Sequence, residues 1–242
     1  MAGRARPVRS SVCAERLIRI SLNGLEVGSF ETCIVGLPAL AVGYLLCAGL
    51  IRSASCTRFI DVRGADVQVT GVPEPSAPPV PQAPFQVEGR VLFERFLGLE
   101  DLTPLARRTG GTHCAALFTA GGGLVARAED VSRLGSVSLA LGQAAINRSD
   151  LRSCFLLMSG RASPLVVAGA ARLGLPLVVC GSTPTAKAVG VAQQGRVGLA
   201  VIYGPGRMLV YCGRNLIRGI PEAGTDAVPV LHTGTGFLPQ YE

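Results

Sequence analysis

The sequence contains no tryptophan, and aromatic residues make up only 5% of it. Its core must therefore be built from Val, Leu, Ile and Ala. A stacking platform for single-stranded nucleic acid, which interleaves aromatic with basic residues, has no material here. Lysine is almost absent: of 23 basic residues, Lys187 is the single Lys and the rest are Arg. No CxxC pair occurs among the eight cysteines, and there are only two histidines, so zinc ribbons, zinc fingers and thioredoxin-like motifs lack their ligands. Charged residues are few at 16% against 48% hydrophobic, the reverse of a disordered chain. The 31 Gly and 16 Pro follow no period, which excludes a collagen-like chain. Residues 1–16 are Arg-rich, with no apolar stretch of a secretory signal behind them. A cytoplasmic protein with reduced, buried thiols is the expectation, several cysteines lying inside apolar runs such as Cys154 in "CFLLM" and Cys180 in "LVVC".

What is present is a net charge of +7 carried by guanidinium groups. Such groups suit anionic partners such as phosphates, because they make planar, bidentate contacts. A GC-rich genome accounts for the same bias. One run, Ile34 to Ile51, holds no charge over 18 residues, the lower edge of transmembrane length. Pro38 and three glycines interrupt it. A buried helix starting near Pro38 is expected rather than a membrane span.

The chain divides into four parts. Residues 1–14 read as a flexible basic start. Residues 15–85 form a β-rich part with one apolar helix, a hairpin at Asn23-Gly24, a second strand pair turning near Gly64, and a Pro-rich loop. That loop, Pro73 to Pro84, has six prolines in twelve residues, so neither a helix nor a central strand passes through it. Residues 86–218 alternate strands with short helices: strands at Cys114–Thr119, Leu124–Ala128, Cys154–Met158, Leu177–Cys180, Leu199–Ile202 and Met208–Tyr211, helices at Arg133–Ile146 and Pro164–Leu173, and a helix whose first residue is Pro184, capped by Ser182 or Thr183. This pattern predicts an α/β fold of three layers, with helices on both faces of the sheet. Residues 219–242 read as an irregular tail.

Four segments offer chemistry. "SGRASP" joins a strand to a helix, so that Ser163 can cap the helix before Pro164, backbone N–H groups face an anion, and Arg161 adds a guanidinium fork. "CGSTPTAK" repeats the arrangement one strand further on, with Thr183 and Lys187. "TGGTHC" places Gly110 and Gly111 ahead of His113, which can serve as an acid–base group, a ligand donor or a structural histidine. "YGPGR" is a hairpin turn whose backbone can lie against a base or a phosphate. Ligands of open α/β sheets bind beyond the carboxyl ends of strands, where these turns fall.

Together these residues resemble the FdhD family, the formate dehydrogenase accessory sulfurtransferases, from Glu15 to about Ile217. "LNG" with "LAVGYLLCAGLI" is similar to the family's "NG…LALGFLLAEGII". "TGGTHCAALF" is close to "TGGTHAAALF", and Glu129 to Arg133 matches the start of "EDVGRHNALDK". "SGRAS", "GLPLVVCGSTPTAKAV" and "GPGRMLVY" match three further family segments in order. The resemblance implies a cytidine-deaminase-like α/β/α domain beside a smaller β-rich part. It implies a cytoplasmic homodimer that takes sulfur from a cysteine desulfurase. By the same resemblance, the sulfur is expected to pass to bis-molybdopterin guanine dinucleotide, which would then enter a formate dehydrogenase-like molybdoenzyme. It also implies a guanine-nucleotide pocket containing Ile202, Tyr203, Gly204, Pro205, Gly206 and Arg207. Gly110, Gly111, His113, Arg161, Ser163 and Thr183 are the further candidates for holding that cofactor. Zinc, nucleic acid and a membrane are not expected.

The family's sulfur-carrying "CGxC" loop belongs upstream of "TGGTH", and here Pro73 to Arg108 holds no cysteine. His, Asn, Asp and Lys of "GRHNALDK" are replaced by Leu134, Gly135, Ser138 and Leu139, and the Glu of "EGII" by Ala48. Two readings follow: an accessory protein that moves sulfur, with Cys114 beside His113 as the candidate thiol, or a divergent binder of the cofactor or another guanine nucleotide that moves none.

Overall fold

The structure, a computed structural model, describes residues 10–74 and 85–220. Most of the basic start, most of the Pro-rich loop and nearly all of the tail lie outside the described residues.

The N-terminal half is a four-stranded sheet. Strands β1 (Arg16–Leu22) and β2 (Leu25–Thr32) form a hairpin closed by Asn23 and Gly24, both at positive φ (51° and 85°). Such a two-residue loop matches the strands' right-handed twist, and Asn-Gly tolerates it best. The Asn23 side chain also clamps the far strand, since its Nδ2 donates to the Gly71 carbonyl and its Oδ1 accepts from the Gly71 N–H, each at 3.0 Å. Strands β3 (Thr57–Arg63) and β4 (Asp66–Gly71) make the second hairpin, and β4 runs parallel to β1, giving the order β2-β1-β4-β3. Ile18, Ile20, Leu22, Val67 and Val69 turn one face of this sheet inward.

Between the hairpins runs helix α1 (Leu37–Ala48), ended by Gly49 in the left-handed conformation. The 18-residue apolar run is thus not one helix. Its 12 helical residues span about 18 Å, well short of a bilayer core. Among the described residues, no helix is long and apolar enough to cross a membrane. Apolar around most of its girth, α1 is buried by protein on several sides.

The C-terminal half begins with β5 (Val87–Glu88), α2 (Gly89–Leu97) and α3 (Pro104–Thr109). Strands β6 (His113–Thr119) and β7 (Leu124–Asp130) follow, then α4 (Arg133–Ile146), β8 (Cys154–Arg161), α5 (Pro164–Leu173) and β9 (Leu177–Ser182). The chain continues through α6 (Ala186–Gln194), β10 (Gly198–Gly204) and β11 (Arg207–Cys212), and β12 (Ile217–Arg218) pairs with β5. Six strands make one mixed sheet in the order β11-β10-β9-β8-β6-β7. The inner strands β8, β9 and β10 are parallel and carry α5 and α6 as crossovers.

Alternating side chains of this sheet feed two cores. Leu117, Leu156, Met158, Val178 and Val201 pack on one face with residues of α1, α4, α5 and α6. Phe118, Phe155, Leu157, Val179 and Ile202 pack on the other with Leu92 of α2, Phe85 and Ile217. The result is the expected α/β fold, with helices on both faces. Several boundaries differ from the sequence reading, and two of these bear on the site. Strand β8 continues through Arg161, so three of the five residues of "SGRAS" are strand. Helix α6 starts at Ala186 under a Thr185 cap, not at Pro184, because the Thr185 hydroxyl reaches the Ala188 N–H.

The halves join where α1 crosses α4. A Cβ on Gly43 would lie 1.7 Å from the Ser138 carbonyl oxygen, and one on Gly142 1.8 Å from that of Ala39. Both obstacles are backbone, so neither can rotate away. Gly43→Ala or Gly142→Ala must push the helices apart and is expected to cost at least the 1–3 kcal/mol of an overpacked core, measured by urea unfolding. Gly190, inside α6 with open space at its Cβ, is the control. Gly190→Ala should stabilise by about 0.5–1 kcal/mol through helix propensity alone.

Candidate functional site

Three helices begin at one cavity. Ser132, Ser163 and Thr185 are the N-caps of α4, α5 and α6, and their hydroxyls accept from the N–H groups of Gly135, Val166 and Ala188. Each cap satisfies one N–H of its helix and leaves earlier ones pointing outward. All three caps line a cavity of about 470 Å³, together with His113, Arg133 and Arg161. Partial positive charge from three helix ends and full charge from two exposed guanidinium groups thus converge on one space. Its chemistry is that of an anion site.

Gly160 allows this convergence. A Cβ there would lie 2.7 Å from the Arg133 side chain and 3.3 Å from His113 Nδ1. His113 is half-buried, and burial followed by the nearby Arg133 charge holds its pKa below 6.5. Both causes favour the neutral imidazole, which can donate one hydrogen bond and accept another.

The acidic pair that ends β7 anchors the neighbouring elements. Glu129 accepts from the N–H groups of Leu105 (3.1 Å) and Ala106 (2.6 Å) and so caps α3. Asp130 is fully buried. It accepts from the Thr32 hydroxyl, from the Cys33 N–H at 3.1 Å and from the Ser132 N–H at 2.7 Å. Burial raises its pKa, and the three donors oppose that rise. One carboxylate thereby ties the end of β2 to the start of α4.

A second cavity, of about 490 Å³, adjoins the first through Val131 and Ser132. Gly111, Thr109 and Cys13 line it.

The structure brings His113, Arg161 and Ser163 together, as one site requires. Gly111 faces the adjoining cavity, and Gly110 is the left-handed C-cap of α3. Thr183 is exposed just beyond β9, beside the Tyr211 hydroxyl, which also meets Tyr203. Burial and Tyr203 push the Tyr211 hydroxyl up to about 12. Gly204, Pro205 and Gly206 turn β10 into β11, with Tyr203 and Arg207 exposed at its ends. This turn stands at the sheet edge where β8 and β9 end. Ile202 is wholly buried in the sheet and offers a ligand no surface. Lys187 is exposed in the first turn of α6.

Cys114 does not fit the thiolate role expected of it. It points to the opposite face of β6 from His113, is 6% exposed, and sits in the second core. Burial pushes its thiol pKa up, outweighing a contact with Ser159. Sequence reasoning also missed Ser132, Arg133 and Thr185 as site residues. The signal was available, for Ser132 and Thr185 each stand three residues before the N–H they cap, at the head of a small-residue helix. Among the described residues, no three or more His, Cys, Asp or Glu side chains are placed to hold a metal ion.

Comparison with known proteins gives concordant matches. The family model "FdhD/NarQ family" matches residues 68–218, well over half of the chain. A protein named sulfur carrier protein FdhD from Xanthomonas axonopodis pv. citri is 27% identical over 233 residues, covering 83% of this chain and 82% of its own. One of the same name from Burkholderia mallei is 28% identical over 223 residues, covering 75% and 81%. A crystal structure provisionally described as a formate dehydrogenase accessory protein from Desulfotalea psychrophila superposes with a TM-score of 0.74. It covers 86% of this chain and 90% of its own at 24% identity, a likeness of fold.

Two outcomes follow from this geometry. Asp130→Ala leaves three donors facing one another without an acceptor, and should lower unfolding stability by roughly 1–3 kcal/mol or more in a denaturant titration. An anion in the cavity favours the charged form of His113, so its binding raises a pKa that starts below 6.5. Protons are then taken up on binding, and affinity for pyrophosphate should rise as pH falls from 7 toward that depressed pKa. Calorimetry at several pH values checks this, and His113→Gln should flatten the part of the slope that the ligand's own titration does not supply.

Proposed function

This chain belongs to the FdhD/NarQ family, and on that premise we propose that it is a cytoplasmic accessory protein to a formate dehydrogenase-like molybdoenzyme. In this reading it holds bis-molybdopterin guanine dinucleotide as cargo and receives sulfur for it from a cysteine desulfurase. The convergence of three helix N-termini, Arg133, Arg161 and His113 on one cavity carries the reading. A volume of about 470 Å³ suits a ligand of nucleoside diphosphate size, so it takes one phosphate-bearing end of the cargo and leaves the rest outside.

The residues divide the work. Backbone N–H groups at the heads of α4, α5 and α6 bind phosphate oxygens without any change of shape. Pro164 removes one N–H at the head of α5, which leaves the Leu165 N–H as its outward donor. Arg133 and Arg161 add forked, charge-assisted contacts from either side. The Tyr203 to Arg207 turn and Thr183, on the same sheet edge, take the guanine end. The names of the relatives, sulfur carrier proteins, support the transfer half of the proposal. The absence of any cysteine from Pro73 to Arg108 favours the second reading, binding without transfer.

Calorimetry with GDP tests the pocket. Arg161→Ala and Arg133→Ala should each lose about 1.5–3 kcal/mol, roughly one to two orders of magnitude in Kd, for one charge-assisted contact. Lys187→Ala, away from the cavity lining, should lose far less. An unmodified chain with no affinity for GDP would overturn the proposal.

A further inference from the structure

Of the eight cysteines, all but Cys13 and Cys212 are buried. Cys13 stands on the irregular segment before β1, and its Sγ lies 2.9 Å from Sγ of Cys33. Both are free thiols. Closing that gap to the ~2.05 Å of a disulfide takes less than 1 Å of movement. The two differ in setting. Cys33 is 5% exposed, its backbone N–H is held by Asp130, and burial followed by the contact with Cys13 pushes its thiol up to about 12. Cys13 is half-buried and lines the 490 Å³ cavity, where its Cβ lies 3.9 Å from the place a Cβ on Gly111 would take. A thiol with room beside it, backed by a protonated thiol with none, is an asymmetric pair suited to accepting a sulfur atom and then discharging it.

We propose that Cys13 and Cys33 form a sulfur-transfer dithiol, with Cys13 taking a sulfane sulfur from a persulfide carried on a protein or peptide thiol and Cys33 resolving the product. This rests on the accessory reading above for its physiological donor and for nothing else. Two exposed carboxylates, Glu15 and Glu31, line the same cavity. They repel small dianionic sulfur sources such as thiosulfate and suit a donor with basic residues flanking its thiol.

The chemistry balances in two steps. The Cys13 thiolate attacks the outer sulfur of the donor persulfide, R–S–SH. A bond forms between that sulfur and Cys13 Sγ, the donor S–S bond breaks, and the donor leaves as its thiolate, with no net oxidation. Where no other acceptor takes the sulfur, Cys33 gives up its proton and attacks Cys13 Sγ as the thiolate, slowly because burial holds that proton. The Cys13–Cys33 disulfide forms, and hydrogen sulfide leaves with the proton of Cys33 and that of the persulfide. The outer sulfur gains the two electrons that the pair loses, and a dithiol reductant returns the disulfide to two thiols.

The test incubates the full-length chain without oxygen, with a cysteine desulfurase and L-cysteine, followed by mass spectrometric mapping and hydrosulfide assay. A synthetic peptide persulfide serves as a second donor. Cys13→Ser should abolish loading from both. Cys33→Ser should accumulate Cys13 persulfide severalfold above the unmodified chain and release little hydrosulfide. Cys212→Ser should match the unmodified chain. Loading on any other cysteine, loading that survives Cys13→Ser, or no loading from either donor overturns the proposal. Loading from the peptide persulfide but not from the desulfurase supports the dithiol and removes the desulfurase from the accessory reading. Circular dichroism of each variant separates lost chemistry from lost fold.

Discussion

Everything in this molecule hangs on the contact of two helix backbones. With Gly43 and Gly142 set against carbonyls of the facing helix, α1 and α4 meet without intervening side chains. Such closeness multiplies dispersion contacts, each small, along the whole crossing. It also fixes the helices in register, since sliding would drive a side chain into a carbonyl. Helix α1 carries the four-stranded sheet on its other side, and α4 carries the larger sheet. The placement of Ser132 and Arg133 at the cavity therefore depends on a junction more than one helical turn away.

Asp130 secures the near end of the same junction. Its three donors come from Thr32, Cys33 and Ser132, residues of both halves. A Cβ at Gly135 would meet its carboxylate at 2.5 Å, so the residue that stands where the resembled motif has Asn is here a requirement of packing. The Lys position of that motif is likewise apolar core, with Leu139 buried against Gly36. Gly135 and Leu139 thus serve packing, while Leu134 lines the cavity beside the polar cap Ser132 and Arg133.

How much of this could be read from the sequence follows from how local each signal is. Asn23-Gly24, Pro164 with Gly174, and the alternation of strands with short helices depend on near neighbours, and the fold class followed from them. His113, Arg161 and Ser163 were legible because turns at adjacent strand ends share a sheet edge. Thr185 was missed in favour of Thr183 because Pro184 looks like a first helical residue and the cap depends on which hydroxyl reaches an N–H. Cys114, only a weak candidate thiol in the sequence, is set apart from the site because alternation along β6 sends it and His113 to opposite faces. Cys13 and Cys33 carry no spacing motif at all, since only the completed fold brings the segment before β1 onto the end of β2.

The girth of α1 has a consequence for synthesis of the chain. Its apolar surface faces partners on nearly every side, and α4, the chief of these, ends 98 residues later, at Ile146 against Ala48. At translation speeds of about 5–20 residues per second, roughly 5–20 s pass between the two. Through that interval the ribosome displays an apolar helix beside the β1–β2 hairpin, joined by β3 and β4 once Gly71 is made, without the helix that covers it. The nascent chain is therefore most exposed to aggregation and to holdase chaperones in a narrow window, which closes only when α4 emerges.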